Sequence, residues 1–131
     1  MEEALIGFML ADTQLALLVS TRIDWQTRPQ GSALPSISLQ RVSGVRDYAM
    51  QGPTGLVASR VQIDCWASTY ASALDVARAV RDLLSGIRRH VGSTEFQGAF
   101  IDSERHGYEK DGNAADAFHR VSMDFQIWHT E

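Results

Sequence analysis

"SRVQIDCWASTYASALDVARAVRDLLSG", residues 59–86, holds two periodicities back to back. Val61, Ile63, Cys65 and Ala67 alternate with Arg60, Gln62, Asp64 and Trp66, the two-residue period of a strand with one buried face. Beyond Ser68 and Thr69, either of which suits an N-cap, Tyr70, Ala73, Leu74, Ala77, Val80 and Leu84 recur at the period of an amphipathic helix. Gly86 then serves as the left-handed terminator. A strand running into a helix whose apolar stripe is rich in alanine predicts a helix lying close against a sheet.

Working outward, Leu5, Phe8 and Met9 have helical spacing over residues 2–11, and Asp12 can cap a short second helix through "TQLALLV". "RIDWQTRPQGSALP" (22–35) is a connector broken by Pro29, Gly31 and Pro35, in which only Ile23 to Trp25 can pair briefly. "SISLQRV" turns Ile37 and Leu39 inward and slips at Arg41, predicting a strand with a bulge. "QGPTGL" (51–56) reads as a turn, unsuited to the interior of a helix or central strand, so Gly44 to Ala58 is expected to be a long connection. Downstream, "STEFQGAFIDSERHGYEK" and "FHRVSMDFQIWH" flank the turn-forming "DGNAAD" as an antiparallel hairpin. Val121, Met123, Phe125 and Ile127 point inward there, with Ser122, Asp124, Gln126 and Trp128 outward. Helices on one face of a mainly antiparallel sheet make an α+β layer fold, and 131 residues without repeat or linker predict a single domain over 1–131.

Apolar residues at 44% and charged residues at 21% place the chain among folding sequences. A formal charge of −4 argues against a surface built to neutralise phosphates. Arg88 and Arg89 in "GIRRH" follow a helix end, where cations meet the negative pole of the dipole. "MEEALIGFMLADTQ" is acidic and interrupted by Gly7, so neither a signal peptide nor a membrane span is expected. Cys65 is expected to be a core thiol without a disulfide, which fits cytoplasmic synthesis.

The search for chemistry returns no constellation. "GPTGL" lacks the Lys and Ser/Thr of a P-loop and precedes a strand where the P-loop needs a helix. His90, His106, His119 and His129 have no ligand spacing, and the single cysteine cannot seed a zinc site, so neither metal nor cofactor is expected. No G-x-S-x-G elbow presents a serine, and "DSE" (102–104) reads as a solvated edge or turn. Asp64 and Asp124 share the outer face of two predicted strands, where two carboxylates in one pocket could act as acid and base, but Arg60, Gln62, Arg120 and Gln126 around them suit pairing on an open sheet. Trp66 and Trp128 on that face suggest a covered surface, with either the chain's own loops or a partner as the cover.

The order of "LADTQLALLV", "RPQGSALPSISLQRVSG", "GPTGL", "RVQIDCWASTY", "ALDVARAVRDLL" and "HRVSMDFQIWH" resembles the tail-completion proteins of tailed phages, also called tail-to-head joining or tail terminator proteins, with relatives in gene transfer agents. The resemblance spans Met1 to His129 and implies a non-enzymatic structural subunit of a hexameric ring at the head-proximal end of the tail. The implied partners are further copies of the chain, the major tail tube protein and a head-completion or neck protein, with DNA passing through the lumen without specific binding. The subunit would be made in the bacterial cytoplasm and end in the virion. Gly44 to Ala58 would then be a joining arm bent at "GPTGL", although the bare residues equally allow a self-packing hairpin. Tyr48, Met50, Pro53, Leu56, Val57, Trp66 and Trp128 are the candidate assembly contacts, and Asp102, Glu104, Glu109 and Asp111 the candidate acidic residues of the lumen. Two alternatives stay open: another neck or tail-tube component, and a small enzyme or ligand-binding module using the face around Asp64 and Asp124.

Overall fold

The computed structural model describes residues 1–26, 34–110 and 117–130. Helices α1 (Glu2–Leu10) and α2 (Thr13–Val19) open the chain. The break between them is made by Asp12, whose carboxylate accepts the N–H of Leu15 at 3.0 Å. This satisfies a donor that the first turn of a helix leaves orphaned. Strands β1 (Ile23–Trp25), β2 (Ser36–Ala49) and β3 (Gly52–Ala67) follow, then α3 (Tyr70–Leu84), β4 (Arg89–Val91), β5 (Thr94–Lys110) and β6 (Ala117–Thr130). They form a six-stranded sheet in the order β1-β2-β3-β6-β5-β4, in which only β1 pairs in parallel.

The central pair, β3 with β6, keeps an unbroken register from Leu56 opposite Thr130 to Ala67 opposite His119. Alternation therefore sends Val61, Ile63 and Cys65 and, across from them, Phe125, Met123 and Val121 to one buried face. The three helices cover that face: Leu5 and Met9 from α1, Leu15 and Val19 from α2, and Ala73, Val76, Ala77, Val80 and Leu84 from α3 join the strand residues in a single apolar cluster. Ala73 and Ala77 leave α3 little side-chain bulk on the sheet side. Cys65 is wholly buried, and burial pushes its thiol well above the ordinary value.

The capping expectations for α3 hold: Thr69 accepts the Ser72 N–H at 3.2 Å, and Gly86 has φ +76° just past the end. Tyr70 departs from the predicted stripe. It is exposed, and its hydroxyl lies 2.8 Å from His106 Nδ1, because a residue in the first turn overhangs the edge of the core. The bulge expected at Arg41 is present as a register shift between Arg41 and Ser43. Ile23–Trp25 pairs briefly with Ile37–Leu39, as the connector's composition allows. Pro29 and Gly31 of that connector, and the "DGNAAD" turn, lie outside the described residues.

The largest departure lies between β2 and β3. The expected connection from Gly44 to Ala58 is a continuation of both strands, paired as far as Ala49 opposite Gly52, and the chain reverses at Met50 and Gln51. "GPTGL" is therefore the start of β3 and not the bend. Proline is excluded from a central strand because it has no N–H to give to the ladder, and with both neighbours paired that missing bond cannot be left to an open edge. Pro53 escapes that exclusion, because β6 reaches β3 only at Leu56 and the ribbon beyond has one ladder instead of two. Gly52 and Gly55 adopt φ +131° and +84°, values closed to side-chain-bearing residues at little strain.

Candidate assembly interface

The arm is a two-stranded ribbon that outruns the sheet. Its tip is organised by Thr54, whose hydroxyl lies 2.9 Å from an Asp47 carboxylate oxygen and 3.2 Å from the Asp47 carbonyl. Its contact groups face solvent: Tyr48 is 67% exposed, Met50 is fully exposed, and Pro53 is exposed. At its root an apolar row crosses four strands on the face away from the helices. Val45 lies opposite Ala58, Ala58 opposite Trp128, and Trp128 opposite Gly98, where the ring of Phe100 occupies the space a Cβ would need. Val45 and Phe100 are more than half exposed and Trp128 is 37% exposed.

Further along that face the side chains are polar and mutually satisfied. Asp124 accepts from Arg105 Nη1 and from Ser103 Oγ, both at 2.9 Å, and Arg60 lies 3.7 Å away while also contacting Asp102 at 2.6 Å. These donors hold the Asp124 carboxyl below its ordinary range, the Arg105 hydrogen bond first among them. Asp64 sits one diagonal step away, opposite Ser122, and is held by the Ser122 hydroxyl and by Gln62. The two carboxylates thus share a face, each engaged by its own donors. Clefts among the described residues are lined by other side chains, including Phe8, Trp25, Arg89 and Glu95. Among the described residues no histidine, cysteine and carboxylate cluster could hold a metal.

On the helix side, the root of the arm is tied down by a buried pair, Ser59 Oγ and His129 Nε2, 2.7 Å apart. His129 Nδ1 lies 2.8 Å from the Thr130 carbonyl, which assigns the proton to Nδ1 and leaves Nε2 to accept from the serine hydroxyl. A serine donating to histidine is the pairing of nucleophile and base, yet Ser59 is wholly buried and open to no substrate. Burial lowers the pKa of His129 from 6.5. Because the folded state then binds the proton less readily than the unfolded chain, this contribution is complete above pH ~6.5 and is lost as pH falls through the lowered value. Urea unfolding should show stability declining as pH falls below about 6.5, and His129→Gln should flatten that slope. The Asp124 contribution is complete above pH 3.8 and is lost only as pH falls below it, so it does not feed the decline that begins near 6.5.

The family model described as Tail completion protein gp17 matches residues 3–130. The chain belongs to that family. Membership places it among the structural proteins of phage tails. The fold agrees with a solved chain described as "Virion of native gene transfer agent (GTA) particle", at a TM-score of 0.77 and 21% identity, covering 100% of this chain and 95% of that one. No curated protein matches significantly.

Within this tail completion chain the residues expected at an interface divide. Tyr48, Met50 and Pro53 lie at the tip of the arm, and Leu56 is half-buried where β6 joins. Val57 is 1% exposed and faces inward opposite His129, so it supplies packing and no free contact area. Trp66 and Trp128 do not form one patch: they lie opposite Arg120 and Ala58, about 26 Å apart along the strands at ~3.3 Å per residue. Trp66 is covered by its own chain, donating to Ser38 Oγ at 3.1 Å, meeting Phe118 edge-on, and lying 5.3 Å beneath the Arg120 guanidinium. Its place beside Trp128 is taken by Val45 and Phe100, which single-strand alternation cannot connect because they lie on β2 and β5.

Of the expected acidic set, the two members with described side chains lie on opposite faces. Asp102 contacts Arg60 on the outer face, whereas Glu104 faces the α3 side, 3.4 Å from Arg81 and 3.5 Å from His106. The bulge between Ile101 and Ser103 shifts the alternation, placing Asp102 with the outer-face groups. Both carboxylates have cationic partners and they form no common acidic surface. Asp111 and the side chain of Glu109 lie outside the described residues.

Proposed function

We propose that this chain is a tail terminator subunit that assembles with further copies of itself as a hexameric ring, the geometry its family resemblance implies, at the head-proximal end of the tail tube. In that position it stops tube growth, contacts the major tail tube protein on one side and a head-completion or neck protein on the other, and lets DNA pass without specific binding. Its place is the virion, and its role is structural, without catalysis. The observation that carries this reading is the arm: a ribbon whose tip exposes Tyr48 and Met50 beyond the last rung shared with β6. Apolar side chains on a projecting ribbon gain most when a partner buries them. The outer-face carboxylates, each already engaged by its own arginine, serine or glutamine, favour structure over acid–base work.

Negative-stain electron microscopy of particles produced without this gene tests the proposal. DNA-filled heads beside unattached tails, with tails of abnormal length, are the expected result. Intact, normally tailed particles overturn it.

A further inference from the structure

The ring reading leaves open how one copy meets the next, and the strand edges bear on it. We infer that neighbouring copies join by strand addition, the open edge of β2 (Gln40–Ala49) pairing antiparallel with the open edge of β5 (Ile101–Lys110) of the next copy. This inference rests on the ring reading above.

Among the described residues, β1 covers β2 only at Ile37–Leu39, and β4 covers β5 only at Thr94–Phe96. The Gly86 N–H also occupies the Ala99 carbonyl at 2.7 Å, so the free edge of β5 begins just beyond. An unpaired edge presents a row of N–H and C=O groups that another strand can satisfy. The two open edges lie on opposite sides of the sheet, so joining them is a head-to-tail contact, the kind that closes into a ring. Polarity agrees as well. The antiparallel pairs β2–β3, β3–β6 and β6–β5 make β2 and β5 run in opposite directions, so a sheet continued into the next copy brings them together antiparallel.

The covered ends dictate the stagger. Gln40 stands level with Gln62, Asp124 and Ser103, which puts the open part of β2 on one side of that row and most of the open part of β5 on the other. A neighbour displaced along the strands by roughly half their length brings the open stretches face to face, with β1 of one copy beyond one end and β4 of the next beyond the other; closed sheets require such a shear. Several charges along these stretches are already held within the chain, Arg41 by Glu2, Asp102 by Arg60 and Glu104 by Arg81, so the backbone edges and not the charges carry the pairing. Both stretches also expose apolar groups: Val42, Val45 and Tyr48 on one, Ile101 and Tyr108 on the other.

The test uses particles whose only copy of the chain carries Val42→Cys with Tyr108→Cys, or Tyr48→Cys with Ile101→Cys, treated with a short bis-maleimide. The native Cys65 is buried and stays silent. Covalent multimers on a denaturing gel, with each single variant remaining monomeric, are expected from at least one pair. Normally joined particles in which both pairs stay monomeric, or in which Val42→Cys alone links to itself, overturn strand addition while leaving the ring intact. Particles that contain no ring of this chain overturn the ring reading itself.

Discussion

Replacing residues 47–56 with Asn-Gly should leave folding nearly unchanged and abolish the joining of heads to tails. Arg46 and Val57 face each other directly in the ladder, so a two-residue turn of this type closes the shortened hairpin without shifting the register of the sheet. The excised residues include Tyr48, Met50 and Pro53, all exposed, and only half-buried Leu56 touches β6. A two-stranded ribbon beyond the sheet adds little to monomer stability, so unfolding in urea should shift by no more than about 1 kcal/mol. Micrographs of complemented particles should nevertheless show heads and tails apart, since the apolar tip has gone. Parent-like particles from a stably folded variant would remove the arm from the joining machinery.

Phe125→Ala should have the largest effect on folding. Phe125 is wholly buried on the helix-facing side of β6, between Val61 of β3 and Ile101 of β5. Truncation removes apolar contact area and leaves a cavity that close-packed neighbours fill only in part, at a cost of about 3–5 kcal/mol. Against a total of about 5–15 kcal/mol for a domain of ordinary stability, this leaves much of the chain unfolded at modest urea concentration. The measurement is the urea midpoint at constant m-value. A shift below about 1 kcal/mol would mean that the β6 core face is packed differently from the register described here.

Much of the frame was legible from local patterns. The caps Asp12 and Thr69, the terminator Gly86, the slip at Arg41 and the alternation of β3 and β6 all follow from rules that act within a few residues. The arm was misread at its bend for a specific reason. Proline and glycine argue against a strand only where both edges are paired, and whether β6 extends beside Pro53 is not a local property. The same limit applies to the contact residues. Val57 reads as an exposed member of a connection until its partner proves to be His129. Trp66 reads as companion to Trp128 until Ser38, Phe118 and Arg120 close over it.

By itself the sequence determined the element types and the inward faces of the main strands, because side-chain period and capping chemistry act over short spans of chain, while the kinship with tail completion proteins rested on the resemblance of its motif order. Only the tertiary structure decided the reach of the arm, the apolar row of Val45, Ala58, Trp128 and Phe100, and the separate pairing of Asp102 with Arg60 and Glu104 with Arg81. Each of these depends on strand order and on bulges that shift the register between chain segments far apart in sequence. Alternation assigns a residue to a face of its own strand, and only the assembled sheet assigns its neighbours.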